Sequence, residues 1–203
     1  MSGQHVAHAI SRAKDDVISP IKIMIIRHAE KHQHGSYGLC VSEDGHACRH
    51  ELTVRGWERA AALINLFAPA GTGAAGSVIH TPRSIFASDA TAQSPSLRAM
   101  HTAGPLAAAL GIQVNHDYAE GDEAALAAAV HASPLPTLIV WHHLGIPKLA
   151  RKIAGGEIEC PAQWPEDRFD LVWILERNNA RASTWAFSQI AQRLLPGDCP
   201  DVL

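Results

Sequence analysis

The sequence predicts an α/β fold in three layers, with helices on both faces of a mostly parallel central sheet. Three observations predict it. Ile21-Lys22-Ile23-Met24-Ile25-Ile26 is almost continuously apolar and too short for a core helix, the pattern of a strand covered on both faces. Thr137 to Trp141 is a second such run. Stretches with helical spacing alternate with the short apolar runs, which implies strands joined by helical crossovers.

Taken in order, residues 1–20 form a peripheral arm with no continuous apolar stretch and no cleavage signature. The first strand ends at Arg27-His28 and gives way to a His-rich loop. The stretch LTVRGWERAAALINLFA then reads as a helix, with Thr53 as N-cap. Trp57, Ala60, Ala61, Ile64, Phe67 and Ala68 fall on one of its faces, and Gly71-Thr72-Gly73 ends it. Ser77 to His80 and Ser84 to Ser88 are short strand candidates. Ser94-Pro95 opens a second helix, a cap followed by Pro at the first position, which runs to about Leu110. Pro105 is expected to break or kink it near His101, because the ring removes a backbone donor and crowds the carbonyl four residues back.

Ile112-Gln113-Val114 is a short strand, and DEAALAAAV a helix with Asp122 as cap. After Thr137 to Trp141, a short helix spans Pro147 to Ala154 and stops at Gly155-Gly156. FDLVWILE and ASTWAFS read as two strands joined by the polar turn Arg177-Asn178-Asn179. With no repeat, low-complexity tract or linker, residues 1–203 are expected to form a single domain.

Composition narrows the function. Hydrophobic residues make up 47% and charged residues 18%, as in ordinary globular proteins. A net charge of −3 gives no reason to expect nucleic-acid binding. No apolar run approaches the ~20 residues that span a bilayer, so no membrane role is expected. Cys40, Cys48, Cys160 and Cys199 lie far apart in a chain that needs no staples, which points to reduced thiols and a cytoplasmic protein. Trp164, Trp173 and Trp185 are expected to pack in the core.

Three groups carry chemistry. Arg27-His28 follows a strand directly, at the carboxyl edge where ligands of open α/β sheets gather. Arg98 and Thr102 are four apart on the second helix and share a face, and the Arg fork matches phosphate oxygens. His142-His143 lies between a buried strand and a helix opened by Pro147, beside amides that attract anions. A fourth group is the loop His32-x-His34 with His46-x-Cys48-x-His50. It has zinc-ligand types but no CxxC pair and no HxxxH helix. The expectation is a rim loop that admits an anionic substrate, with no metal.

The first three groups, in this order and spacing, resemble the histidine phosphatase superfamily, whose fold is shared by cofactor-dependent phosphoglycerate mutase and many phosphatases. The resemblance rests on Arg27-His28-Ala29-Glu30, Leu52-Thr53 with Gly56, Ser94 with Arg98 and Thr102, and His142/His143 with Ile146-Pro147. It covers residues 21 to about 155. The RHAEK form and the tail PAQWPEDRFDLVW resemble a bacterial branch of that superfamily.

The resemblance implies a phosphoglycerate mutase-like fold, no cofactor, and a small phosphorylated substrate or phosphoprotein as partner. It implies His28 as nucleophile, forming a phosphohistidine that water hydrolyses, with Arg27, Arg98 and a second His around the phosphate. Thr53, Ser94 and Glu30 become substrate-binding positions. The spacing before Ile146-Pro147 favours His142 as the second His, whereas the Trp141-x-His143 form favours His143, which is the expected pocket residue. For the acid that protonates the leaving group, the region after Ile112 offers Asp117, Glu120, Asp122 and Glu123. Glu120 and Asp122 are the candidates, although Asp122 also suits a cap. The expected function is a phosphatase. The alternatives are a phosphomutase of the same fold and a degenerate module that binds phosphorylated ligands or zinc.

Overall fold

The computed structural model describes residues 20–32, 38–70, 78–156, 158–177 and 184–203. The N-terminal arm before residue 20, His34, Gly71-Thr72-Gly73 and the Asn178-Asn179 turn lie outside the described residues. Six strands and four helices follow in the order β1 (Ile21–Arg27), α1 (Val54–Phe67), β2 (Ser84–Ala87), α2 (Arg98–Leu110), β3 (Val114–Asn115), α3 (Glu123–His131), β4 (Thr137–Trp141), α4 (Ile146–Ala154), β5 (Leu171–Arg177) and β6 (Ala186–Ala191).

They form one sheet in the order β3-β2-β4-β1-β5-β6. The pairs β2–β3, β2–β4 and β1–β4 are parallel, while β5 runs antiparallel to both β1 and β6. The alternation of β1 builds both cores. Ile23 and Ile25 pack with Leu126 and Val130 of α3 and with Leu149 and Ile153 of α4. Met24 and Ile26 pack with Leu63 and Phe67 of α1 and Leu106 of α2. This is the three-layer sandwich with a mostly parallel sheet that the sequence predicts.

Several local expectations are met. Thr53 caps α1 by accepting from the Gly56 N–H, and Gly155 ends α4 in the left-handed region that a Cβ disfavours. Others are corrected. The buried face of α1 is Gly56, Arg59, Ala60, Leu63 and Phe67, turned from the expected stripe so that Ala61 is exposed. Hydrophobicity could not announce a face that buries an arginine.

Residues 78–80 are not a strand; the Val78 carbonyl instead accepts from Lys22 Nζ at 2.9 Å. The α2 helix begins at Arg98, not at Ser94-Pro95, because Ser94 is spent on closing a turn with Thr91. Pro105 does not break α2, which continues to Leu110. The face carrying Thr102, Ala103, Leu106 and Ala107 is buried on both sides of the ring. Asp122 stands at the N-cap of α3 but makes no side-chain cap bond, and its Oδ2 accepts from Ala119 N–H behind it. The last strand lies later than ASTWAFS, at Ala186–Ala191.

Candidate active site

Strand register brings the site together. Arg27 lies opposite Trp141 in the β1–β4 pair, and Ala87 opposite Val140 in the β2–β4 pair. The ladders extend one step further, His28 N–H to the Trp141 carbonyl and Ser88 N–H to the Val140 carbonyl. His28, His142 and Ser88 therefore gather at the carboxyl edge of three adjacent parallel strands. The His28 and His142 rings are 5.7 Å apart, edge to face, and His142 Nε2 is 3.0 Å from the Ser88 hydroxyl.

His28 is buried, and its Nδ1 lies 2.8 Å from the Ala29 carbonyl. A carbonyl only accepts, so Nδ1 carries the proton and Nε2 presents a lone pair. Burial, then the Arg27 charge, push the His28 pKa well below its usual value, against the pull of the Ala29 carbonyl. The ring is neutral at neutral pH, as a nucleophile must be. The next residue is fixed as well: Ala29 N–H donates to Thr102 Oγ1 at 2.8 Å, and that hydroxyl donates to the Arg98 carbonyl at 2.7 Å.

Arg27 is fully buried. Its Nη1 donates to the carbonyls of Pro165, Glu166 and Arg168, and the Phe169 ring lies 3.8 Å beneath its Cζ. Among the described residues, Nε and Nη2 meet no acceptor. Burial lowers its pKa to about 10, with Glu166, Glu30 and Asp167 pulling the other way; it stays charged. Arg98 spends its fork on the His-rich loop, donating to the carbonyls of Glu51 and Arg49 and to the Ser96 hydroxyl. It remains close enough for its charge to lower the pKa of both His28 and His142.

Of the two later histidines, the His142 ring stands against His28, while the sequence preference was for His143. His143 lies beyond it, where burial and the charges of Arg27 and Lys31 push its pKa down to about 4. Burial lowers the His142 pKa, and the exposed Glu120 is the carboxylate whose charge pulls the other way.

Three predicted substrate positions do other work. Thr53 is buried as the α1 cap, and its hydroxyl also donates to the Glu30 carbonyl at 3.3 Å. The Glu30 carboxylate is buried against Arg59 (2.7 Å) and Arg55 (3.2 Å). Ser94 sits in a turn four residues before α2. Two of the carboxylates are likewise engaged. Asp122 holds Ala119 N–H, and Glu123 is buried with Lys148 at 2.7 Å. Burial would raise the Glu123 pKa, but Lys148 and the Gly121 N–H hold it low, so it has no proton to give at neutral pH.

Ser88 was missed by sequence reasoning; its one signal was its place directly after a strand. In the loop, His32 Nδ1 faces the Gly38 carbonyl and His50 Nε2 accepts from Arg49. Among the described residues no three His, Cys, Asp or Glu form a metal-sized group, and all four cysteines are free thiols.

No family model and no curated protein matches the sequence. Solved structures do. Mycobacterial hydrolase 1 is similar at 14% identity and TM-score 0.53, covering 84% of this chain and 96% of its own. A mycobacterial glucosyl-3-phosphoglycerate phosphatase aligns at 16% identity, TM-score 0.47, over 83% of this chain and 97% of its own. A protein assigned as the phosphohistidine phosphatase SixA of Nakamurella multipartitia aligns at 17% identity, TM-score 0.47, over 85% and 96%. The first likeness establishes the fold. The chain has the three-layer, phosphoglycerate mutase-like architecture expected from its sequence.

Proposed function

We propose that the chain is a histidine phosphatase that hydrolyses a phosphomonoester or phosphohistidine through a covalent phosphohistidine on His28. One observation carries this: a neutral imidazole, its Nδ1 proton tied to Ala29, stands beside a buried Arg27 whose Nε and Nη2 meet no acceptor among the described residues. Nε2 attacks phosphorus as the bond to the leaving oxygen breaks. Arg27, with the charge of Arg98, meets the negative charge on the equatorial oxygens, a role that fixed cations fill without a metal, and the neutral His142 ring adds a hydrogen bond. Glu120 is the candidate that protonates the leaving oxygen and then takes a proton from water. That water attacks phosphorus, the N–P bond breaks, and orthophosphate leaves.

Residues 1–203 are taken as one domain, working on a small phosphorylated molecule or a phosphoprotein. The free thiols support a reducing, cytoplasmic setting, in a bacterium by the RHAEK-type resemblance. No described helix is long and apolar enough to cross a membrane.

The test is hydrolysis of p-nitrophenyl phosphate with trapping of an acid-labile, alkali-stable phosphoenzyme. His28→Ala is expected to remove the phosphoenzyme and to lower kcat by about a thousandfold or more. Chelator is expected to change nothing. Turnover that survives His28→Ala would sink the nucleophile, and turnover lost to chelator would replace this chemistry with a metal's.

A further inference from the structure

A cleft of 290 Å³ opens next to the site, lined among the described residues by the start of α4 and the segment 162–166. We propose that this cleft, built on His143, Leu144, Pro147, Ala162, Trp164 and Glu166, is the leaving-group subsite, and that it selects an uncharged leaving group with an apolar body over one bearing its own anion. The proposal rests on the phosphatase reading and names the substrate class of that site.

Position supports it first. The carbonyls of Pro165 and Glu166, in one wall of the cleft, accept from Arg27 Nη1. The opposite wall begins at His143, directly after the His142 ring that faces His28. A phosphate held at Arg27 and His28 therefore has its ester oxygen beside this opening. The segment that seats the guanidinium also shapes the pocket for the rest of the substrate.

Chemistry supports it next. Leu144 is a large apolar side chain left 74% exposed. Pro147, Ala162 and Pro165 add apolar surface. The Trp164 ring is buried, packed at a tilt 5.3 Å from Trp173 and tied by Nε1 to the Arg168 carbonyl at 2.8 Å, which makes that part of the lining rigid. Of the polar members, Gln163 is neutral, His143 is neutral at neutral pH, and the Glu166 carboxylate has Lys31 Nζ 3.8 Å from it. No Lys or Arg is among the described residues that line it. Lys148, Arg151 and Lys152 line a separate cavity with Gly155 and Gly156.

An anionic leaving group would have to compete with the Glu166 carboxylate for Lys31 as it shed its water, whereas an aryl group would cover Leu144 at a gain. The volume lies at the small end of the roughly 300–1,000 Å³ typical of ligand sites, which suits one or two rings.

The test compares kcat/KM of the full chain on 1-naphthyl phosphate, 3-phosphoglycerate and acetyl phosphate. The wild type is expected to favour 1-naphthyl phosphate over 3-phosphoglycerate by about tenfold or more. Leu144→Asp is expected to lower the naphthyl-to-acetyl ratio by about tenfold, mainly through KM. Ala162→Arg should raise the ratio of 3-phosphoglycerate to 1-naphthyl phosphate. Both positions are exposed, so the variants should fold. A wild type that prefers 3-phosphoglycerate, or ratios within about twofold of wild type in both variants, overturns the subsite. If acetyl phosphate is turned over while the ratios stay fixed, only the subsite falls. If nothing is turned over, the phosphatase reading falls with it.

Discussion

Arg27 is a buried cation held from one side. Nη1 has three carbonyls and the guanidinium has an aromatic face, while Nε and Nη2 have no acceptor among the described residues. An unmet buried donor costs about 1–3 kcal/mol, more when charged. A phosphoryl group offers two oxygens that match this edge of the fork, so binding it recovers what folding left unpaid. Lys at the same place keeps the charge but loses the fork and the flat seat on Phe169. Arg27→Lys is therefore expected to lower kcat for p-nitrophenyl phosphate by about 10²–10³-fold. A loss below about threefold would remove Arg27 from the phosphate clamp. The Arg27-His28 pair is visible in the sequence as an end-of-strand motif. Its supports are not, because they are backbone carbonyls more than a hundred residues away that no side-chain pattern encodes. Ser88 escaped for a similar reason, since its partner His142 is set by register between strands.

At the scale of elements, the strands were legible where both faces are buried and the run is unbroken, as in β1 and β4. Helix faces were less so. The α1 face turned because Arg59 goes inside to meet Glu30 and Asp198, a pairing distant in sequence. The α2 start moved because Thr91 and Ser94 close a turn on each other. Gly56, part of the LT-x-x-G spacing, shows what such spacing protects. A Cβ on Gly56 would stand 2.6 Å from the Glu30 carbonyl oxygen and 3.1 Å from its nitrogen. Backbone cannot swing aside as a side chain can, so either α1 or the turn after His28 must shift. Gly56→Ala is expected to cost about 1–3 kcal/mol in urea unfolding. It should also lower kcat, because the displaced turn carries the Ala29 carbonyl that sets the His28 tautomer. An unchanged urea midpoint would show that α1 does not press on that turn.

At the scale of the molecule, the last described residues close a ring around the site. Asp198 takes Arg59 at 2.7 Å and Arg55 at 3.2 Å, and both arginines also hold Glu30, two residues past His28. Its Oδ2 also accepts the N–H groups of Leu194 and Leu195. Beside it, Cys199 N–H reaches Asp170, and Asp170 pairs with Arg168, whose carbonyl holds Arg27. Glu30 was expected at the substrate, yet its carboxylate is spent on the two arginines in the frame behind His28. Burial alone would raise the Asp198 pKa, but the Arg59 hydrogen bond and the two backbone N–H groups bring it down to about 2. The unfolded carboxyl titrates near ~3.9, so as pH falls the unfolded chain takes up its proton first. The stabilisation is therefore whole above about pH 4 and fades as pH falls through about 2. Asp198→Ala leaves Arg59 with Glu30 as its one carboxylate partner among the described residues and is expected to cost about 3 kcal/mol near neutral pH, the low end for a broken buried pair. The stability gap between wild type and variant should hold steady from pH 7 to 5 and narrow below about pH 4. A gap that does not narrow would show that the carboxylate's charge is not what fastens the chain to the frame of the site.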